Sequence, residues 1–139
     1  MTMSPDRGGV FHVLSTLCRL GVGRHGDGRQ FVSWIHEHDF TAAVDFLLAR
    51  DDLAGATNLC APQPLPNRDF IAGLHRAIGM RLAVPVPCWA LEVGALLMRT
   101  ETELILKSRR VVPRCLIEAG FVFRYPSWDV AAADLVQRR

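Results

Sequence analysis

Three constellations in the sequence have residue types and spacings that serve chemistry. Gly21-Val22-Gly23-Arg24-His25-Gly26 matches G-x-G-x-x-G letter for letter, the pattern that lets a backbone approach the pyrophosphate of a dinucleotide. That use needs a strand entering the glycine turn and a helix leaving it, so that helix N–H groups face the phosphates. Here a helix is predicted before the glycines and a strand after them, which favours a flexible helix-to-strand connection. His36-Glu37-His38 puts two imidazoles on one face of an extended chain, an arrangement that suits a metal ion. Only two ligands are local, and the competing reading is a strand end followed by a helix cap at Asp39. The same strand end is where α/β proteins place ligands, which makes Trp34 and His36 candidates on a substrate side. The third constellation is missing. A Tyr-x-x-x-Lys pair, whose lysine lowers the tyrosine pKa and holds a cofactor ribose, needs both residues on one helical face. The single tyrosine, Tyr125, and the single lysine, Lys107, stand in the wrong order and at the wrong spacing. No G-x-S-x-G elbow and no P-loop are present either.

The remaining reactive residues point to packing. Cys18, Cys60, Cys88 and Cys115 are far apart, each in an apolar setting, with no Cys-x-x-Cys pair. That predicts buried free thiols in a reducing, cytoplasmic compartment and no zinc site. The net charge of +2 is carried by scattered arginines, apart from Arg109-Arg110 and Arg138-Arg139, with no basic stripe interleaved with aromatics. Nucleic acid is therefore not an expected partner. Neither is a membrane: the apolar stretches Ala83 to Val86 and Ala90 to Met98 are broken by Pro87 and Glu92 and are too short to span. Residues 1–7 lack the basic and apolar regions of a signal peptide.

The elements that must position these residues follow from periodicity. The chain is one domain in size, 139 residues, and 50% hydrophobic, enough for a core. Val10, Phe11, Leu14, Leu17 and Cys18 have helical spacing, with no strand expected before them. A glycine-rich loop spans Gly21 to Gly28. Phe31 to Ile35 is β-branched and aromatic, hence a strand. Asp39 is predicted to cap a helix with Phe40, Ala43, Val44, Leu47 and Leu48 inward. Thr57 to Cys60 reads as a short buried strand, and the prolines of Ala61 to Pro66 oppose regular structure. Asn67 is expected to cap a helix bearing Phe70, Ile71, Leu74 and Ile78, stopped by Gly79. Leu82 to Val86 is extended. Helices are predicted from Pro87 through Leu97, in part of Glu101 to Arg110, and from Pro113 to Ala119, the last stopped by Gly120. Phe121 to Tyr125 is extended, and Ser127 caps a final helix with Trp128, Ala132, Leu135 and Val136 inward. Alternating helices and strands predict an α/β fold with parallel pairing. Two or three short strands make a poor sheet alone, because buried parallel strands need neighbours on both sides.

Several stretches in order carry a family resemblance: Gly28 to His36, the helix from Asp39 to Leu48, Thr57 to Pro62, Asn67 to Phe70, Pro85-Val86-Pro87, Arg109 to Pro113 and Glu118 to Pro126. Together they resemble the C-terminal half of the epimerase family of atypical extended short-chain dehydrogenases/reductases, proteins known as nucleoside-diphosphate-sugar epimerases with a C-terminal domain of unknown function. The resemblance implies the C-terminal part of a Rossmann-like fold followed by a mostly helical cap. Residues 1–62 would be the back portion of the Rossmann-like domain, and 63–139 the C-terminal domain. Met3 to Gly9 resembles the segment after a late Rossmann strand, so the cofactor fingerprint and the Tyr-x-x-x-Lys helix are expected before residue 1.

What the resemblance carries over is the substrate side. Trp34, His36, Arg29 and Asn58 are the implied substrate-binding residues, for a nucleotide sugar or a related ligand. The family's aspartate pair after the histidine is here His38-Asp39, a departure at its first position. No cofactor is expected in this chain and NAD(P) is expected for a full-length parent; no catalytic and no metal-binding residue is assigned. The alternative is a non-enzymatic binding or oligomerisation module that self-associates or docks through the edge where strands are missing.

Overall fold

A computed structural model describes residues 1–25, 27–80, 84–86 and 108–139. The described order is β1 (Thr2–Met3), α1 (Val10–Arg19), β2 (Val22–His25), β3 (Phe31–Val32), β4 (Ile35–His36), α2 (Glu37–Leu48), β5 (Leu65–Pro66), α3 (Asn67–Ile78), β6 (Val84–Val86), α4 (Arg114–Glu118) and α5 (Trp128–Gln137). Three strand pairs form: β1 with β4 and β2 with β6, both parallel, and β3 with β5, antiparallel. The alternating α/β order and the parallel pairing are as expected.

Helix α1 buries Phe11, Leu14, Ser15 and Cys18, one stripe at helical spacing. It ends at Gly21, whose φ of +82° only glycine adopts without strain. The predicted loop over Gly21 to Gly28 is corrected in its first half: Val22 to His25 is a strand, with Val22 opposite Val84 and His25 opposite Val86. The expectation of no strand before α1 is also corrected, since Thr2 and Met3 pair with Ile35 and His36.

The strand predicted over Phe31 to Ile35 divides in two. Trp34 and Ile35 are consecutive and both buried, which breaks the period-two alternation of a half-buried strand. Residues 28–35 act as a spine whose hydrogen bonds reach four other segments. The carbonyls of Gly28 and Gln30 accept from the N–H groups of Arg68 and Asn67, Phe31 O from Arg109 N, and Trp34 O from Ala61 N; Ile35 N donates to Met1 O.

Helix α2 starts before Asp39. His36 is its N-cap, the ring accepting from His38 N–H. Its predicted inward face is only partly covered, with Ala43 buried while Phe40 is 37% and Leu48 78% exposed. Residues 57–60 form no strand, and Leu65–Pro66, placed among the prolines, does pair with β3. At α3 the N-cap is Pro66, and Asn67 is the first helical residue, buried. Phe70, Ile71 and Leu74 face inward as expected, and Gly79 closes the helix at φ +80°. Helix α4 runs close to its predicted span, ahead of Gly120 at φ +81°. Ser127 is the N-cap of α5, without a side-chain cap bond, and Trp128, Ala132 and Leu135 are buried. Ser108 to Arg110 is not helical; the helices predicted from Pro87 and from Glu101 otherwise lie outside the described residues.

One apolar cluster joins these elements, drawing Met3, Phe11 and Leu14 from the front of the chain and Tyr125, Trp128 and Leu135 from its end. Each fully buried side chain of this size contributes about 1.5–3 kcal/mol.

Candidate functional site

The carboxyl end of β4 is held by a polar network. His36 is fully buried. Its Nδ1 accepts from His38 N–H at 3.1 Å, so a neutral ring must carry its proton on Nε2, which donates to Asp134 Oδ2 at 3.1 Å. Tyr125 stacks on the imidazole at 3.9 Å and donates its hydroxyl to Asp134 Oδ1 at 2.9 Å. Arg138 bridges Asp134 Oδ2 at 3.2 Å and Glu37 Oε1 at 2.6 Å. Asp39, also buried, accepts from the backbone N–H groups of Arg124 at 2.8 Å and Tyr125 at 2.9 Å. Its carboxylate thus fastens the segment before α5 to the first turn of α2 and caps no helix.

Electrostatics follow from this geometry. Burial pulls the His36 pKa below its usual 6.5, and the hydrogen bond and charge of Asp134 offset that only in part. Burial acts to raise the Asp134 pKa, yet the hydrogen bonds from Tyr125, Arg138 and His36 outweigh it and hold the pKa below 3.8. Burial, then the bond to Asp134 and its charge, raises the Tyr125 pKa. A tyrosine so held stays protonated and committed to Asp134. Both nitrogens of His36 are likewise committed, and among the described residues no group of three or more potential metal ligands exists.

The four candidate substrate residues do not come together. Trp34 is 1% exposed; its Nε1–H donates to Gln63 O at 3.2 Å and its ring meets Trp128 edge-on at 5.0 Å. His36 lies in the network above. Arg29 is exposed, its backbone N–H donating to Asp27 Oδ1 at 2.9 Å. Asn58 is exposed and lines two adjoining clefts. The larger, about 520 Å³, includes Arg50, Asp52, Val112, Arg114, Cys115 and Glu118. The smaller, about 290 Å³, includes Phe31, Ser33, Leu59, Cys60, Arg109 and Val111.

Sequence reasoning missed what builds these clefts. Residues 108–111 lie along the spine: Phe31 N–H donates to Ser108 Oγ at 3.0 Å, Ser33 Oγ–H donates to Arg109 O at 2.7 Å, and Val111 N–H donates to Ser33 Oγ at 2.9 Å. No local pattern announces a pairing across so much sequence. Asp39 did carry a signal, standing four residues before Ala43 on the buried face of α2, where an unpartnered acid is costly.

The G-x-G-x-x-G letters begin just after α1 and run through β2, so among the described residues a strand, and no helix N-terminus, follows the first glycine. Cys18 and Cys60 are buried free thiols, and burial pushes the Cys18 pKa up to about 12; burial also raises that of Cys60. Cys115 is half-buried, and Cys88 lies outside the described residues. Among those residues no helix is long and apolar enough to cross a membrane.

Parallel pairs flanked by helices define a Rossmann-like α/β chain, and solved structures share the arrangement. The human epimerase family protein SDR39U1 (isoform 2), solved with NADPH, matches 99% of this chain and 46% of its own at a TM-score of 0.85 and 26% identity. A nucleoside-diphosphate sugar epimerase from Corynebacterium glutamicum matches 99% of this chain and 25% of its own, with TM-score 0.72 and 26% identity. In sequence, residues 86–135 match the family described as Domain of unknown function (DUF1731). The epimerase family protein Mb2239 of Mycobacterium bovis is 33% identical over 126 residues, 90% of this chain and 41% of the relative. In sequence and in fold the chain is similar to the C-terminal part of epimerase family proteins. It spans about two-fifths of the length of the curated relatives it matches.

Proposed function

We propose that this chain is the substrate side of an NAD(P)-dependent epimerase- or dehydratase-like protein, handling a nucleotide sugar or a related ligand. The observation that carries the reading is the match to a relative solved with NADPH, of which this chain covers 46%. In this reading NAD(P) belongs to the whole protein, where it supplies hydride chemistry. The chain's own residues bind and orient the ligand. Asn58 and Arg29, both exposed, touch it; Trp34 and His36, both buried, act as positioning residues that hold the strand end. Asn58 offers an amide donor and acceptor at the junction of two clefts, a placement suited to reading a polar ligand.

The isolated chain is inactive in this reading, since it has no Tyr-x-x-x-Lys pair and its one tyrosine is tied to Asp134. The test is a titration of NADPH into the chain, followed by energy transfer from its tryptophans, beside a titration of UDP-glucose followed by calorimetry. No NADPH binding with measurable nucleotide-sugar binding is the expected result. Saturable NADPH binding, or no response to any of a panel of nucleotide sugars, overturns the reading.

A further inference from the structure

We propose that one side of α1, with Arg139 lying across it, is a docking surface for an acidic segment of a partner protein. The surface stands apart from the substrate-side reading, since none of its residues lines either cleft beside Asn58.

His12, Thr16 and Leu20 follow one another at four-residue steps, and Arg19 stands three after Thr16, so these four share one side of the helix. Arg139, just past the end of α5, reaches that side. Its Nη2 donates to His12 Nδ1 at 2.9 Å and to Thr16 Oγ1 at 3.3 Å, and its Nη1 donates to Ser15 Oγ. The Ser15 and Thr16 hydroxyls both donate to His12 O, at 3.1 and 2.8 Å, so their lone pairs are left for the guanidinium. Arg139 is thus fixed by neutral acceptors and keeps its full charge. A guanidinium has more N–H groups than these three bonds use.

Neither Arg139, nor the exposed Arg19, nor Arg7 ahead of α1 is ion-paired among the described residues. The neighbouring Arg138, by contrast, is neutralised by Asp134 at 3.2 Å and Glu37 at 2.6 Å. Partial burial, and then the charges of Arg19 and Arg7, lower the Arg139 pKa, the mark of cations gathered without a counter-charge. Cβ atoms three residues apart on a helix stand about 5–6 Å from one another, so Arg19 and the Thr16 hydroxyl that holds Arg139 flank the same turn. Guanidinium groups pair with carboxylates through their planar forks. Leu20, 76% exposed, adds an apolar spot to the same side. A nucleic acid would leave it unused, whereas an acidic segment carrying one apolar side chain matches both the charge and the leucine.

The test is fluorescence anisotropy of the 139-residue chain with labelled oligoglutamate, with the same peptide bearing one leucine, and with labelled oligothymidylate. Arg19→Gln and Arg139→Gln are each expected to weaken oligoglutamate binding roughly tenfold, while Arg68→Ala, an exposed arginine beside Asp69, leaves it unchanged. The leucine is expected to tighten binding to the parent chain but not to Leu20→Ser. Binding is also expected to weaken as salt rises. Thermal melts equal to the parent chain's establish that the variants fold; if Arg139→Gln melts early, Arg19→Gln alone carries the test. Absence of oligoglutamate binding, binding indifferent to Arg19→Gln, or no gain from the leucine that depends on Leu20 overturns the proposal. Tighter binding of oligothymidylate through the same arginines overturns it too, in favour of a nucleic-acid surface.

Discussion

At the scale of single residues, His36 decides how the end of β4 behaves. Its buried ring accepts from one side, donates to Asp134 on the other and is covered by Tyr125. Burial lowers its pKa in the folded chain below 6.5. The unfolded chain therefore takes up this proton first as pH falls. By linkage, its contribution to stability is complete above pH 6.5 and declines as pH drops below it. Asp134 adds a second decline lower down, because its folded pKa lies below 3.8; its contribution is complete above that value and is lost on acidification through the folded pKa. Urea midpoints measured from pH 8 to pH 5 are expected to fall through the histidine window in the parent chain. In His36→Gln, which no longer titrates there, the fall should be shallower, with a lower plateau at pH 8. Equal slopes in the two chains would contradict the burial of a neutral ring.

At the scale of elements, the contact between α3 and α5 is set by a missing side chain. Gly73 lies in the interior of α3, and a Cβ built on it would stand 2.7 Å from Trp128 Cδ1. The indole is also pinned, stacked on Phe70 at 4.0 Å with its N–H donating to Phe70 O at 2.7 Å. Gly73→Ala gains about 1 kcal/mol of helix propensity, but the overpacking costs typically 1–3 kcal/mol and the pinned ring leaves little room to relax. A lower melting temperature is expected, whereas propensity acting alone would raise it. The helices were legible in the sequence because their cores recur at three and four residues, as in Phe11, Leu14 and Cys18 of α1 or Phe70, Ile71 and Leu74 of α3. The strands were legible only in part: Phe31 to Ile35 and Leu82 to Val86 read as extended where β3, the start of β4 and β6 lie, while β1, β2 and β5 were not expected. Each described strand is two to four residues long, too short to show alternation, and each finds its partner far along the chain. Val22 to His25 lay hidden among glycines, and the Ser33 hydroxyl that holds residues 109–111 has no local signature. At the candidate site, Asn58 was chosen by resemblance, and its clefts depend on that same long-range pairing.

At the scale of the whole molecule, the question is whether residues 1–62 and 63–139 unfold together. The apolar cluster crosses that boundary, with Trp34 against Trp128 at 5.0 Å and Met3 and Phe11 in one core with Leu74 and Leu135. The polar network crosses it too, through His36 with Asp134 and Asp39 with residues 124 and 125. A core continuous across both parts favours one cooperative transition, as is usual at this size. Trp128→Ala, which empties a buried aromatic site in the C-terminal part, costs about 3–5 kcal/mol in comparable cores. If the two parts form one unit, that loss must be felt everywhere. The slowest-exchanging amides of α1, which contains no residue of the mutated segment, should lose protection by the same free energy as those of α5. Hydrogen exchange under native conditions reads both in one experiment. Protection of α1 left intact while α5 exchanges freely would mean that residues 1–62 hold their fold alone. The long-range bonds at His36 and Asp39 would then be attachments between two separately stable parts.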